Sequence, residues 1–341
     1  MLSATPAGRL LGIGVLGTGY ISTQFAVALS ESQSRLVRIA AVAGRDGARA
    51  AALAQRCAAP RSYADYDALL ADDDVDAVYI GLPNALHAEW AECAAAAGRH
   101  VLCEKPLAPG LAEARRMVAA CERHGVLLLE AFPFQFQPQT QEMCRRIAAG
   151  EIGTVRVLQA TTGFSLADAA NLGLRPDRED GALLDVGCYC VSLARLVFLR
   201  QPRSACARHT AGPGGIDRTT VATLEYDDGA YAQLACSQVS APHRSAFLAG
   251  SDGALETTFG NNTVAETALL RIKRGIAWQA GYERVTVPAG NGFVLEAEAF
   301  ARAIATGDLA AFAGFHQLNL DNAATLAAIA TSMRTGQPVA V

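Results

Sequence analysis

The stretch Gly12-Ile13-Gly14-Val15-Leu16-Gly17-Thr18-Gly19-Tyr20-Ile21-Ser22 decides the fold. Its apolar head reads as a buried β-strand, and a helix is expected to open at about Ser22. Between them Gly17 permits a tight turn, Gly19 lets a pyrophosphate approach the main chain, and Ser22 stands as a small third residue. Amides at the helix start would meet the phosphate charge, so Gly17, Thr18, Gly19, Tyr20 and Ile21 are expected to bind a dinucleotide.

Outward from this loop the chain keeps a βαβ rhythm. Short strand-like runs at Val37 to Ala43, Val75 to Ile80, His100 to Cys103 and Val126 to Leu129 alternate with Ala-rich segments of helical length. Beyond about residue 150 extended runs dominate: Thr154 to Thr162, Thr219 to Tyr226, Ala230 to Ser237 and Arg284 to Val287. Asp227-Asp228-Gly229 reads as a hairpin turn between two of them. Helical patterns return at Val186 to Leu199, Gly292 to Ala305 and Leu318 to Met333. The expected architecture is α/β: a Rossmann dinucleotide-binding domain over residues 1–127, then an α+β domain with a mainly antiparallel open sheet over 128–341.

Composition narrows the function. The chain has 341 residues, enough for about two domains, and 51% of them are hydrophobic. A formal net charge of −4 offers no general attraction to nucleic acid or an anionic membrane. No apolar run reaches the roughly 18 residues of a membrane helix. Nine scattered cysteines without a Cys-x-x-Cys pair suit a reducing cytoplasm and give no metal site.

At the end of the second strand the chain reads Ala43-Gly44-Arg45-Asp46. An NAD site places an acid there for the ribose hydroxyls. Arg45 instead suits a 2′-phosphate, so NADP is expected over NAD. The competing reading makes Arg45 a solvated residue and Asp46 a helix N-cap.

Further motifs carry a family resemblance: Gly81-Leu82-Pro83-Asn84-Ala85-Leu86-His87, then Gly98-Arg99-His100-Val101-Leu102-Cys103-Glu104-Lys105-Pro106, then Asp185-Val186-Gly187-Cys188-Tyr189. With the glycine loop, these resemble the glucose-fructose oxidoreductase, inositol dehydrogenase and rhizopine-catabolism (Gfo/Idh/MocA) family, densely up to about residue 190 and loosely beyond. The resemblance implies an oxidoreductase of sugars, polyols or related alcohols using NAD or NADP, and an open sheet that packs against another subunit as a homodimer or dimer of dimers. It places Glu104, Lys105 and Pro106 beside the nicotinamide, with a proline peptide that is often cis, and Leu82, Pro83, Asn84 and His87 on the cofactor side. His87 reads equally well as a packing residue.

Asp185 and Tyr189, four residues apart at a helix start, share one face. Many relatives have His at the second position, whereas the glucose-fructose oxidoreductase, dihydrodiol dehydrogenase and aldose dehydrogenase branch has Tyr. A phenol of ordinary pKa about 10 needs a nearby cation to act as a base at neutral pH. The expected roles are therefore Tyr189 as acid/base, Lys105 as its electrostatic partner, and Asp185, with Asn171 and Arg175, as ligands of a small-molecule substrate. Gln135 and Gln137 stand where relatives often carry Arg and His, which favours neutral substrates. Two other readings use the same cofactor domain: a non-catalytic NADP-binding sensor, or a bilin or imine reductase with a more apolar cleft.

Overall fold

A computed structural model describes residues 9–165, 181–263 and 268–341. The chain divides into two compact units, Met1–Phe132 with Phe293–Leu320, and Pro133–Gly292 with Asp321–Val341.

The first unit carries a six-stranded sheet in the order β3-β2-β1-β4-β5-β6, parallel throughout. Its elements are β1 (Leu11–Leu16), α1 (Tyr20–Glu31), β2 (Val37–Ala43), α2 (Gly47–Arg56), β3 (Arg61–Tyr63), α3 (Tyr66–Leu70), β4 (Ala77–Ile80), α4 (His87–Ala96), β5 (His100–Glu104), α5 (Leu111–His124) and β6 (Leu128–Ala131). β1, β4 and β6 are buried at every position, as strands of a sheet covered on both faces must be. The helices start and stop where local chemistry says. Asp46 caps α2 by accepting from the Ala48 and Arg49 amides at 3.0 and 3.1 Å, and Gly125 ends α5 at φ +67°. Strand order reverses at β1, and a ligand crevice is expected beyond the carboxyl ends of β1 and β4.

Two features of this unit differ from expectation. The division falls after Phe132, since β6 pairs with β5 and a cut at 127/128 would remove a sheet strand. Residues 293–320 also return to this unit, a long-range association that leaves no local sequence signal. They comprise nearly all of one helix, Gly292–Thr306, and the first part of another, Leu309–Thr335. His316 Nε2 there accepts from the Leu128 amide at 3.0 Å, and Asn319 pairs with the Glu130 amide and the Leu128 carbonyl.

The second unit contains α6 (Pro138–Ala148), β7 (Val155–Ser165), α7 (Cys188–Phe198), β8 (Ser204–Ala211), β9 (Asp217–Glu225), β10 (Tyr231–Ser237), β11 (Val239–Gly250), β12 (Gly253–Thr257), β13 (Asn262–Thr263), β14 (Leu270–Arg274), β15 (Glu283–Arg284), β16 (Gly290–Asn291) and β17 (Val339–Ala340). Nine of these strands form one sheet, in the order β15-β14-β12-β11-β7-β10-β9-β8-β17. Only the β7–β10 pair is parallel. The Asp227-Asp228-Gly229 turn joins β9 to β10, with Gly229 at φ +75°. β11 went unread because Pro242, His243 and Arg244 interrupt its alternation, and its pairing with β7 shifts register between Val239 and His243. Of the expected strand Arg284 to Val287 only Arg284 is in a strand, as the second residue of β15.

Candidate active site

At the end of β1 the chain turns through Gly17 at φ +105°, a left-handed conformation that L side chains rarely adopt. A Cβ there would sit 2.9 Å from the Gly81 carbonyl oxygen, at the end of β4. Ser22 is fully buried and donates its hydroxyl to that same oxygen at 3.2 Å, so the small third residue ties the two strand ends together. Gly19, the residue that opens α1, has no atom within 4 Å of a Cβ placed on it, and no side chain caps the helix. Open space in front of uncapped amides is the cradle a pyrophosphate requires. Thr18 is half-buried, Ile21 likewise, and Tyr20 is 80% exposed.

Arg45 is exposed at the end of β2, and Gly44 beside it is buried. A Cβ on Gly44 would come 2.8 Å from the Thr18 methyl, so glycine is needed there for packing irrespective of charge. One helical turn beyond Arg45, Arg49 donates to the Thr18 carbonyl at 2.9 Å. This second cation at the loop went unread, because an Arg on an exposed helix face looks like ordinary surface.

Leu82, Pro83 and Asn84 are half-buried in the turn after β4. His87 is fully buried: Nε2 lies 2.9 Å from the Leu82 carbonyl oxygen, and Nδ1 lies 3.1 and 3.2 Å from those of Pro106 and Leu107. Burial pulls its pKa down, and with both nitrogens on main-chain carbonyls it has the geometry of a strut between two loops. The Lys105–Pro106 peptide is cis, and Lys105 is half-buried.

Beneath Lys105 lies a group of buried carboxyls. Glu104 accepts from the Tyr79 hydroxyl at 2.6 Å and from the Lys105 amide at 3.2 Å; burial raises its pKa, with Lys105 pulling the other way. Tyr79 stacks on Phe25 with ring centroids 3.8 Å apart. Glu130 accepts from the Leu107 amide at 2.8 Å, holding the chain after Pro106. Glu296 is fully buried and neither of its oxygens makes a hydrogen bond of ordinary geometry. Desolvation and the neighbouring Glu104 push its pKa well up, against a downward pull from the Phe132 amide.

In the second unit Asp185 does not open an ordinary helix. Residues Leu183–Gly187 form a π-helical turn that runs into α7, anchored by Asp217, whose carboxylate accepts from the Leu183 amide at 2.8 Å. The expected shared α-helical face of Asp185 and Tyr189 is thus altered by a wider turn between them. Gly187 packs so closely on β10 that a Cβ would lie 2.9 Å from Cys236 Sγ. Half-buried Asp185 accepts from Gln238 Nε2 at 2.9 Å, and Gln238 is itself fully buried.

Tyr189 is 6% exposed, against Phe134 at 5.9 Å between ring centroids. Its hydroxyl oxygen accepts from Asn261 Nδ2 at 3.3 Å, and the Arg244 guanidinium carbon lies 4.1 Å from its ring centroid. Gln135 donates to Ser192 at 2.7 Å. Gln137 is fully buried and donates to the carbonyls of Asn261 and Gly290, the latter at 3.0 Å. Gln137, which stands where relatives often carry His, is thus a main-chain brace. Asn171 and Arg175 lie outside the described residues.

The profile described as "Oxidoreductase family, NAD-binding Rossmann fold" matches residues 11–132, and the Gfo/Idh/MocA C-terminal domain matches residues 140–256. The chain belongs to the Gfo/Idh/MocA oxidoreductase family. It is 40% identical over 298 residues to D-xylose 1-dehydrogenase (NADP(+)) 2 of Haloferax volcanii, covering 87% of this chain and 89% of that protein. It is 33% identical over 244 residues to trans-1,2-dihydrobenzene-1,2-diol dehydrogenase of Xenopus laevis, covering 71% and 74%. Among solved structures, a 3-ketoreductase from Actinomadura kijaniata in complex with NADP and TDP-benzene superposes with a TM-score of 0.84 at 30% identity, over 95% of this chain and 98% of that one. No helix among the described residues is long and apolar enough to cross a membrane.

Proposed function

We propose that this member of the family is an NADP-dependent dehydrogenase or reductase acting on the carbinol or carbonyl of a sugar, polyol or trans-dihydrodiol. The observation that carries the reading is the cradle at Gly17 to Ser22, with its open Gly19, uncapped α1 and an arginine in place of an acid at the end of β2. The relative named as an NADP(+) D-xylose 1-dehydrogenase supports the cofactor, and that relative with the one named as a trans-1,2-dihydrobenzene-1,2-diol dehydrogenase supports the substrate class.

When bound, the nicotinamide takes or gives the hydride; the protein's own task is to bind, orient and move a proton. Tyr189 is the acid/base group, Lys105 polarises the reacting oxygen, and Asp185, held by Gln238, binds a neighbouring hydroxyl. One further observation supports the Lys–Tyr assignment. The A. kijaniata 3-ketoreductase has been solved with a lysine and a tyrosine individually replaced, positions 84 residues apart, and Lys105 and Tyr189 have that same separation.

We assign the protein to the cytoplasm, and the open face of the nine-stranded sheet, which exposes Val221 and Tyr231, to contact with a second copy. Light scattering at micromolar concentration should give at least a dimer; a monomer would remove that assignment. The enzyme reading is tested by near-ultraviolet absorbance of reduced nicotinamide in wells holding NADP⁺ and an aldose, inositol, polyol or trans-dihydrodiol, with NAD⁺ as control. Reduction of NADP⁺ by one substrate class is expected. Silence across the panel with demonstrated NADPH binding would favour the sensor.

A further inference from the structure

Tyr189 sits in a frame of side chains that the sequence reading left without a role. A tyrosine hydroxyl has one proton to give and lone pairs with which to accept. Asn261 Nδ2 donates to that oxygen at 3.3 Å, so the hydroxyl proton is left for another acceptor. The direction of the Asn261 amide is itself fixed. Its Oδ1 accepts from Arg244 Nη1 at 3.0 Å, and turning the amide over would set donor against donor. Arg244 therefore determines which end of Asn261 meets Tyr189.

The guanidinium also lies over the phenol, 4.1 Å from the ring centroid and 5.7 Å from that of Phe259. A cation there attracts the negative face of the ring, and attracts more strongly the phenolate left when the proton departs. The frame is rigid. Gln137 grips the Asn261 carbonyl, and buried Phe259 holds φ +32°, a conformation that aromatic residues rarely adopt and that ordinary loops avoid.

We propose that Arg244 and Asn261 are positioning residues for Tyr189, fixing where its proton points and balancing the charge on its oxygen as the proton passes to or from the substrate oxygen. This rests on the acid/base role proposed above for Tyr189. Other titratable groups on or against α7 include Asp185, engaged by Gln238, Arg195, paired with Asp321 at 2.7 Å, and the buried thiols of Cys188, Cys190 and Cys236; burial pushes Cys190 up to about 12 and Cys236 well above its ordinary value.

The test is steady-state oxidation of D-xylose and the other panel substrates with NADP⁺, across pH, for wild type and the variants Arg244→Met, Arg244→Lys, Asn261→Ala and Tyr189→Phe. NADPH fluorescence and a cooperative melt check each fold. Arg244→Met is expected to lower kcat about 2- to 30-fold at neutral pH, the span of cation–π contacts from exposed to desolvated, with KM nearly unchanged and the deficit shrinking as pH rises. Arg244→Lys should recover most of the loss, and Asn261→Ala should lose roughly 2- to 10-fold, as for one hydrogen bond. A loss equal at every pH, or one confined to KM, would overturn the proposal. Undiminished Tyr189→Phe would overturn the acid/base role beneath it, and a wild type inactive on the whole panel would overturn the proposed function first.

Discussion

Gly17 and Gly19 act by having no side chain, and they do so within a single turn of chain, whereas Tyr189 is held by side chains drawn from positions as far apart as 134, 137, 244 and 261. The first arrangement is made of backbone. It tolerates little variation in a short stretch, and so it can be read from that stretch alone. The second is made by folding. A sheet must form, β11 must shift register past Pro242, and a left-handed turn must close at Phe259 before the residues meet. The two regions should therefore fail in different ways when altered.

The largest separation is expected from Tyr189→Phe. Losing the proposed acid/base group should cut turnover by about 10²–10⁴-fold, with NADPH affinity unchanged because the proposed cradle lies in other residues. Stopped-flow fluorescence and steady-state rates on the same preparation would read both quantities. Turnover within a factor of two of wild type would remove the tyrosine from the chemistry.

Gly19→Val inverts that experiment. Nothing within 4 Å opposes a Cβ at Gly19, and its φ of −77° suits a side chain, so the melting temperature should hold. The branched chain would instead fill the space meant for phosphate, weakening NADPH by about 5- to 150-fold, the range of a 1–3 kcal/mol overpacking cost. Arg45→Ala refines the point. If the guanidinium binds a 2′-phosphate, NADPH should weaken by roughly 10-fold or more, as for a lost charge-assisted hydrogen bond, while NADH barely changes. Parallel losses of the two cofactors would move the discrimination elsewhere, and Arg49, already bonded to the Thr18 carbonyl, would be the next candidate.

The same contrast explains what was legible. The parallel sheet, the phosphate loop and the Asp46 cap follow from local patterns, and β2 falls on the expected residues Val37 to Ala43. The Lys105 and Tyr189 positions were accessible through family resemblance. Arg244 and Asn261 were not, since an arginine after Pro-His in an irregular strand and an asparagine in a loop carry no spacing that marks them. The π-helical turn at Leu183–Gly187 was invisible for a related reason: it depends on Asp217 capping from another strand and on the close fit of Gly187 to Cys236. Gln137 shows a related limit. Its difference from the His that relatives often carry was legible, but its burial and two carbonyl partners, which make it part of the scaffold, were not.

Glu296 gives the smallest and most specific effect, and it tests whether the cofactor half is as purely a backbone device as its loop suggests. Its carboxyl is buried beside Glu104 and its pKa is raised well above the ordinary value of 4.5. An acid whose folded pKa is raised contributes stability fully below its unfolded pKa, and loses it progressively as pH climbs toward the folded one. Wild type should therefore become less stable than Glu296→Gln as pH rises from about 5 to 8, since glutamine has no proton to lose. At roughly 1–2 °C per kcal/mol for a chain of 341 residues, the expected gap is a few degrees at the upper end and close to zero at the lower. Melting curves at several pH values would measure it. Parallel curves would mean that Glu296 ionises freely in the folded protein, and the carboxyls behind Lys105 would then be a solvated pair with no bearing on the lysine.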